Sequence, residues 1–193
     1  MENNLYKLIL KRRSIRLFKQ KKVPLSIIKK IINAARLAPS CANLQFIEYL
    51  VIDDLRLKEE VFSTLRFGYY VYPKRVPQDN FKPNFYIIVL INKNKSKEPN
   101  LRDIGLALEN ILLSLVSFNL GGCIIQNIDK EKLYKILDLK DNYQIDCVVA
   151  CGYAAEKPKL ETKSDDVKYW VDRKNILHVP KRPLKDIFHY NKI

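Results

Sequence analysis

Seven consecutive residues, Phe85-Tyr86-Ile87-Ile88-Val89-Leu90-Ile91, are apolar or aromatic, and the run has the length of a strand. A strand with one wet face alternates apolar and polar side chains, whereas one without alternation has to be covered on both faces. The run therefore reads as a central strand with a layer of structure on each side.

The flanking sequence supplies candidate layers. Ile27, Ile28, Ile31, Ile32 and Ala35 recur at helical spacing after Pro24, and Pro39 limits continuation beyond Ala38. Phe46 to Ile52 is a short β-rich run, Leu57 to Arg66 reads as a helix, and the stretch carrying Pro73, Pro77 and Pro83 reads as a long surface loop. Asp103 is the expected start of the longest helix, in which Ile104, Leu108, Ile111, Leu112, Leu115 and Val116 repeat at three and four before Gly121. Strand-like Cys123 to Ile125, a short helix from Lys130 to Leu137 and strand-like Ile145 to Cys151 follow. The tail from Trp170 has mixed periodicity and many charges, and is expected to wrap over something else. This order predicts an α+β sandwich, a mixed sheet flanked by helices, and 193 residues suit one domain spanning 1–193. No repeat of 20 to 50 residues appears.

Other classes are weighed by charge and composition. The longest apolar stretch, Ile104 to Ile128, is interrupted by Glu109, Asn110 and Asn119, short of the ~20 clean residues of a membrane helix, so no membrane span is expected. Lys11, Arg12 and Arg13 come before any apolar run of signal-peptide length, which points to the cytoplasm. A net charge of +14 would direct attention to nucleic acid or acidic lipid, but lysines outnumber arginines and are spread along the whole chain as a solvated surface. A small anionic ligand stays open. Cys41, Cys123, Cys147 and Cys151 form no CxxC pair and read as reduced thiols rather than metal ligands.

Three short segments carry the candidate chemistry. Lys11-Arg12-Arg13-Ser14-Ile15-Arg16 sets three guanidiniums and a hydroxyl within five residues, and Arg forks match phosphate oxygens; a solvated surface patch is the alternative. Lys181-Arg182, between Pro180 and Pro183, sits in a stiff turn that would meet the same anion or only solvent. The segment Ala34-Ala35-Arg36-Leu37-Ala38-Pro39-Ser40-Cys41-Ala42-Asn43-Leu44-Gln45-Phe46 stops a helix with proline and then offers hydroxyl, amide and backbone groups to a planar heterocycle. The chain has only five glycines, where ~7% usage predicts about 13. Gly121-Gly122 reads as a helix terminator, as a close backbone approach to a ligand, or as both.

Taken in order, Arg12-Arg13-Ser14-Ile15-Arg16, Ala34 to Gln45, Asp103-Ile104-Gly105-Leu106-Ala107-Leu108-Glu109-Asn110 and Leu120-Gly121-Gly122-Cys123-Ile124-Ile125 resemble the motifs of the nitroreductase family of FMN-dependent oxidoreductases across nearly the whole chain. The resemblance implies a nitroreductase-like α/β sandwich and an intertwined homodimer with two composite sites. It assigns Arg12, Arg13, Ser14 and Arg16 to the FMN phosphate, ribityl chain and pyrimidine edge, with Lys181 and Arg182 returning to the phosphate. An arm from about residue 165 onward would wrap on the partner or over that phosphate. The loop of Pro39, Ser40, Cys41 and Asn43, with Gln45, would reach the FMN of the other subunit. Gly122 allows close approach, Ile125 and Gln126 pass a backbone N–H near flavin N5, and Arg66 or Phe67 approaches the pyrimidine side.

By the same resemblance, hydride comes from NADH or NADPH and is passed, in a ping-pong cycle, to a nitroaromatic, a quinone or another small electrophile. The chemistry is then the flavin's, and no side chain acts as catalytic acid or base, His178 and His189 included. The chain departs from the family pattern with Asn119 and Gln126 in place of glycines, with Phe46 and Ile47 after the motif glutamine, and with less length for a lid helix. Dehalogenation, flavin modification and FMN binding with little turnover are the alternatives within the fold. A basic nucleic-acid-binding module is the remote one.

Overall fold

A computed structural model describes residues 4–192. In chain order it contains α1 (Asn4–Lys11), β1 (Phe18–Lys19), α2 (Leu25–Arg36), β2 (Ile47–Ile52), α3 (Leu55–Phe62), β3 (Phe85–Asn92), α4 (Leu101–Ser117), β4 (Gly121–Ile125), α5 (Lys130–Leu137), β5 (Tyr143–Ala154), β6 (Lys159–Thr162), β7 (Trp170–Val171) and β8 (Leu177–Lys181).

Every residue of β3 is buried, as its unbroken apolar run requires. It pairs antiparallel with β2, Tyr49 opposite Val89, and with β5, Ile87 opposite Val149. The twelve residues of β5 form the trunk of the sheet, because they also receive β4, Cys123 opposite Ala150, and β1, Phe18 opposite Ala154. These ladders are antiparallel; parallel pairing enters at an isolated bridge between Ser14 and Gly122 and in a second sheet, ordered β6-β8-β7, where β6 runs parallel to β8.

Strand alternation sends the two sets of β3 side chains into two cores. Phe85, Ile87, Val89 and Ile91 pack with Ile31 of α2 and Ile111 of α4. Tyr86, Ile88 and Leu90 pack with Val61 of α3 and Leu133 of α5. Each fully buried isoleucine contributes about 1.5 to 3 kcal/mol, so both helical layers are bound to the sheet by the same strand.

Boundaries differ from expectation where side chains compete for the backbone. The longest helix starts at Leu101, because Asn100 caps it by accepting from Arg102 N at 3.1 Å; Asp103 lies in its first turn and is buried. Asn119, at φ 58, ends that helix, and Leu120 N returns to Leu115 O at 2.8 Å, so Gly121 is not the terminator but the first residue of β4. The helix expected to reach Arg66 stops at Phe62. The hydroxyls of Ser63 and Thr64 bond back to Glu60 O and Val61 O, and Leu65 turns out to bridge Ile128. The helix α1 was not expected, and the charged tail forms the small second sheet. Among the described residues no helix is long and apolar enough to cross a membrane.

Candidate functional site

The segment Arg12 to Arg16 runs beside β4, with Ser14 bridging Gly122 and Ile15 N donating to Gly122 O at 3.0 Å. Gly121 is required by this contact, and Gly122 by the packing of β4 on α4 and β5. A Cβ on Gly121 would stand 2.4 Å from Ile15 Cγ1, and one on Gly122 would stand 2.7 Å from Leu115 Cδ1 and 3.2 Å from Ala150 O. Protein atoms approach closely at both glycines.

Arg12 N still closes α1 by donating to Leu8 O at 2.9 Å, and beyond it Arg13 and Ile15 line one groove. Arg12 Nε lies 3.3 Å from Glu109 Oε1 of α4. The Arg16 guanidinium sits 5.1 Å from the centre of the Tyr169 ring, and its Nε is buried without a hydrogen-bond partner. Arg13 donates to Arg12 O and faces a groove of ≈ 570 Å³ shared with Lys11, Asn119, Glu156 and Lys157. Burial first, and then the Arg12 charge, lowers the Arg13 pKa from its usual value.

Ile125 is buried at the end of β4 and Gln126 emerges into solvent directly after it. Arg66 is brought to the same place, since its N–H donates to Asn127 O at 3.0 Å, and its side chain is exposed. Phe67 instead points into the core, against Phe62 with ring centres 5.6 Å apart. Arg12, Ser14, Arg16, Gly122, Ile125, Gln126 and Arg66 thus lie on contiguous backbone around β4.

The Pro39 to Gln45 loop is elsewhere in the protomer. Asp103, 4% exposed, accepts from Ser40 Oγ at 2.9 Å and from Cys41 N at 2.8 Å, and Ser40 Oγ in turn accepts from Gln45 N at 3.1 Å. These bonds anchor the loop at the N-terminal end of α4, whereas Gly121 and Gly122 follow its C-terminal end, about 20 Å away along the helix axis. Cys41, Ala42, Asn43, Leu44 and Gln45 are all exposed, and Ala42, Asn43 and Gln45 take left-handed φ of 48°, 53° and 48°.

Lys181 and Arg182 stand exposed at the end of β8, with Arg182 donating to Asp186 O at 2.7 Å. Their sheet approaches the first segment through Tyr169. It is held together by His178, whose ring nitrogens lie 2.7 Å from Glu161 Oε1 and 3.1 Å from Asp172 Oδ2, and whose ring stacks on Trp170 at 4.7 Å. His189 is exposed. Burial raises the thiol pKa of Cys123, Cys147 and Cys151, which keeps them protonated in the sheet.

Sequence reasoning missed the carboxylates that organise the site. Asp103 was read as the helix start, although Asn100 three residues earlier was the signal that the cap lay upstream. Glu156, which accepts from Arg16 N and Leu17 N, carries no local signature, and neither does the buried Arg75 beside it.

Residues 9–153 match the model of the nitroreductase family. The chain is 28% identical over 166 residues to a protein of Archaeoglobus fulgidus provisionally named NADH dehydrogenase/NAD(P)H nitroreductase, covering 82% of this chain and 90% of the relative. It is 24% identical over 180 residues to the iodotyrosine deiodinase of Thermotoga neapolitana, covering 86% and 97%. The fold is that of a provisionally assigned nitroreductase from Desulfovibrio desulfuricans, solved in complex with FMN, with a TM-score of 0.74, 22% identity and coverage of 100% and 99%. Lys181 and Arg182 fall outside the matched span, but the Arg12–Arg16, Pro39–Gln45, Asp103–Asn110 and Gly121–Ile125 segments fall within it, on the elements just described, and the chain belongs to the nitroreductase family.

Proposed function

We infer that this chain is an FMN-dependent oxidoreductase that takes hydride from NADH or NADPH and reduces small electrophiles such as nitroaromatics or quinones. The observation that carries the reading is the segment Arg12 to Arg16, locked against Gly122 at Ser14 and Ile15, with a buried Arg16 Nε that no group among the described residues satisfies. A buried donor without a partner is costly, by ~1 to 3 kcal/mol or more when charged, and a flavin carbonyl or ring nitrogen is the kind of acceptor that would satisfy it. The residues present therefore fit FMN.

Bound FMN would supply the atom, N5, that accepts and then donates hydride. Arg12 and Ser14 would hold the phosphate and ribityl chain, Lys181 and Arg182 the phosphate, and Arg16 and Arg66 the pyrimidine side. Fixed cations at that edge stabilise negative charge as it develops there. Buried Ile125 fixes the backbone at Gln126, so that its N–H is presented rather than free to turn. Nicotinamide and acceptor would occupy one pocket in turn, with no acid or base side chain from the protein.

Two protomers are implied by the placement of Pro39, Ser40, Cys41, Asn43 and Gln45, some 20 Å along α4 from the Gly121-Gly122 end. An exposed loop anchored at the opposite end of α4 from Gly121-Gly122 is suited to the flavin of a second copy. In this reading residues 1–193 act as one FMN-binding unit, with the arm from about residue 165 onward reaching the partner or the phosphate.

The purified protein is expected to be yellow, to release FMN by mass, and to bleach under NADH or NADPH without air. The double variant Arg12→Ala, Arg16→Ala should lose flavin; stoichiometric FMN in that variant would remove the basis of the assignment. A second reading, reductive dehalogenation of a halophenol, is favoured by the deiodinase relative. Turnover with a halotyrosine and none with nitroaromatic or quinone would select it.

A further inference from the structure

We propose that Arg75 and Glu156 are positioning residues for flavin binding, fixing where the Arg16 guanidinium stands. The inference rests on the FMN reading above and names a part of the site outside its motifs.

Arg75 comes from the long loop between α3 and β3, yet it is 1% exposed. A guanidinium is rarely placed so deep unless its charge and donors are matched. Arg75 Nε lies 3.1 Å from Glu156 Oε2, at ion-pair distance though not in line for a hydrogen bond. Its Nη1 donates to Asn175 Oδ1 and its Nη2 to Asn175 O, both at 2.7 Å.

Glu156 uses its other oxygen differently. Oε1 accepts from Arg16 N at 2.5 Å and from Leu17 N at 3.1 Å, across 140 and 139 residues of sequence. One carboxylate therefore joins the buried arginine to the backbone of the residue whose side chain is assigned to the pyrimidine edge. The far end of the same side chain is constrained through Asn175, which lies six residues after Tyr169, the ring on which the Arg16 guanidinium rests. Tyr70, from the loop that carries Arg75, packs edge-on against that ring with centres 5.1 Å apart. Arg16 is thus held at its backbone by Glu156 and at its head by Tyr169, and Arg75 ties both supports to one point.

Arg75 is buried and meets Arg16 through Glu156 on one side and through Asn175 and the Tyr169 segment on the other, so its effect on the flavin passes through these supports. The test is the double variant R75M/E156M, in which both charges leave together and the volume stays filled, a replacement that buried ion pairs commonly tolerate. FMN titration by flavin fluorescence should show a Kd at least tenfold above wild type, and the urea midpoint of the apoprotein should fall as well, because Arg16 N and Leu17 N lose their acceptor. The two-electron midpoint potential of the FMN that does bind should fall, because a guanidinium no longer stands fixed at the pyrimidine edge; a merely structural pair would leave the potential of the bound flavin unchanged.

If the double variant does not fold, E156Q and N175A serve the same measurement. E156Q keeps one acceptor for Arg16 N without the charge that holds Arg75, and N175A frees the Tyr169 segment alone, so both should shift Kd and potential in the same direction by less. Wild-type Kd and potential in any folded one of these variants would overturn the proposal and leave the FMN reading standing. A wild-type protein that binds no FMN would overturn both.

Discussion

The segments Arg12–Arg16 and Cys41–Gln45 are built in opposite ways. The first lies against β4, joined to Gly122 at Ser14 and Ile15, and Glu156 takes the N–H groups of Arg16 and Leu17. The second stands in solvent with three left-handed residues and one anchoring carboxylate, Asp103. A left-handed L-residue costs roughly 1 to 2 kcal/mol, so the loop's shape is held by something other than local preference. The contrast teaches that one segment is preorganised by its own sheet, while the other hangs from a single anchor and otherwise meets solvent.

Removing the anchor should separate the two segments most. Asp103→Ala deletes the acceptor for Ser40 Oγ and Cys41 N, and two charge-assisted hydrogen bonds at ~1.5 kcal/mol each predict a loss of about 3 kcal/mol in urea unfolding. Limited proteolysis should then cut at residues 41–45 first and spare Arg12–Arg16. Equal cutting at both would mean that they are not independently held.

The reverse perturbation strikes the preorganised half. Gly121→Ala would force Ile15 off β4, since the new Cβ lies 2.9 Å from Ile15 Cβ as well as 2.4 Å from Cγ1. Overpacking of this kind costs about 1 to 3 kcal/mol, and FMN affinity should fall with it. Retained affinity would show that the close run along β4 does not organise the cations.

Two smaller effects concern the loop's strain and the second sheet. Ala42→Gly relieves a left-handed alanine, offset by the greater freedom of glycine when unfolded, for a net gain of about 0.5 kcal/mol; a loss in thermal unfolding would mean that the alanine methyl makes a contact of its own. His178 has a raised pKa, first through Glu161 and then through Asp172. Its stabilisation is therefore whole below the ordinary ~6.5 and is lost as pH climbs through the raised value. Glu161 is held low chiefly by His178 and Asp172 chiefly by the Ile176 N–H, so their share is present above the ordinary ~4 and is lost as pH falls below it. Lys159, 3.4 Å from Glu161, and Lys163, stacked on Trp170, are the cations that face this cluster. Amide protection in β6 and β8, corrected for intrinsic exchange, should peak between these limits and decline above, with no matching change in β3.

The features legible in the sequence are those that a single segment decides. Phe85 to Ile91 announced a strand buried on both faces, and the apolar spacing of α2 and α4 announced their layers. Three others needed knowledge of neighbours. The strands β6 and β8 are short, charged in places and interrupted by Pro180, so neither periodicity nor composition distinguishes them from a tail. The helix α1 buries none of its residues within the protomer, leaving Leu5, Ile9 and Leu10 about half exposed. Arg75 is one basic residue in a chain of many, and only the arrival of Glu156 and Asn175 from far along the sequence makes it an interior one. Motif spacing singled out candidate residues without showing that Arg13 faces a groove with Glu156 or that Asp103 holds the loop.

The trunk strand also sets an order of events during synthesis. The strand β5 receives β1, β3 and β4, yet it is the last of the five main-sheet strands to leave the ribosome. Until residues 143–154 emerge, only the β2–β3 pair can close, and a fully apolar strand keeps one edge open to any passing chain. For about a third of its translation, from Asn92 to Ala154, the nascent polypeptide therefore carries its most adhesive edge uncovered, and demand for chaperone protection should end abruptly once Ala154 has cleared the exit tunnel.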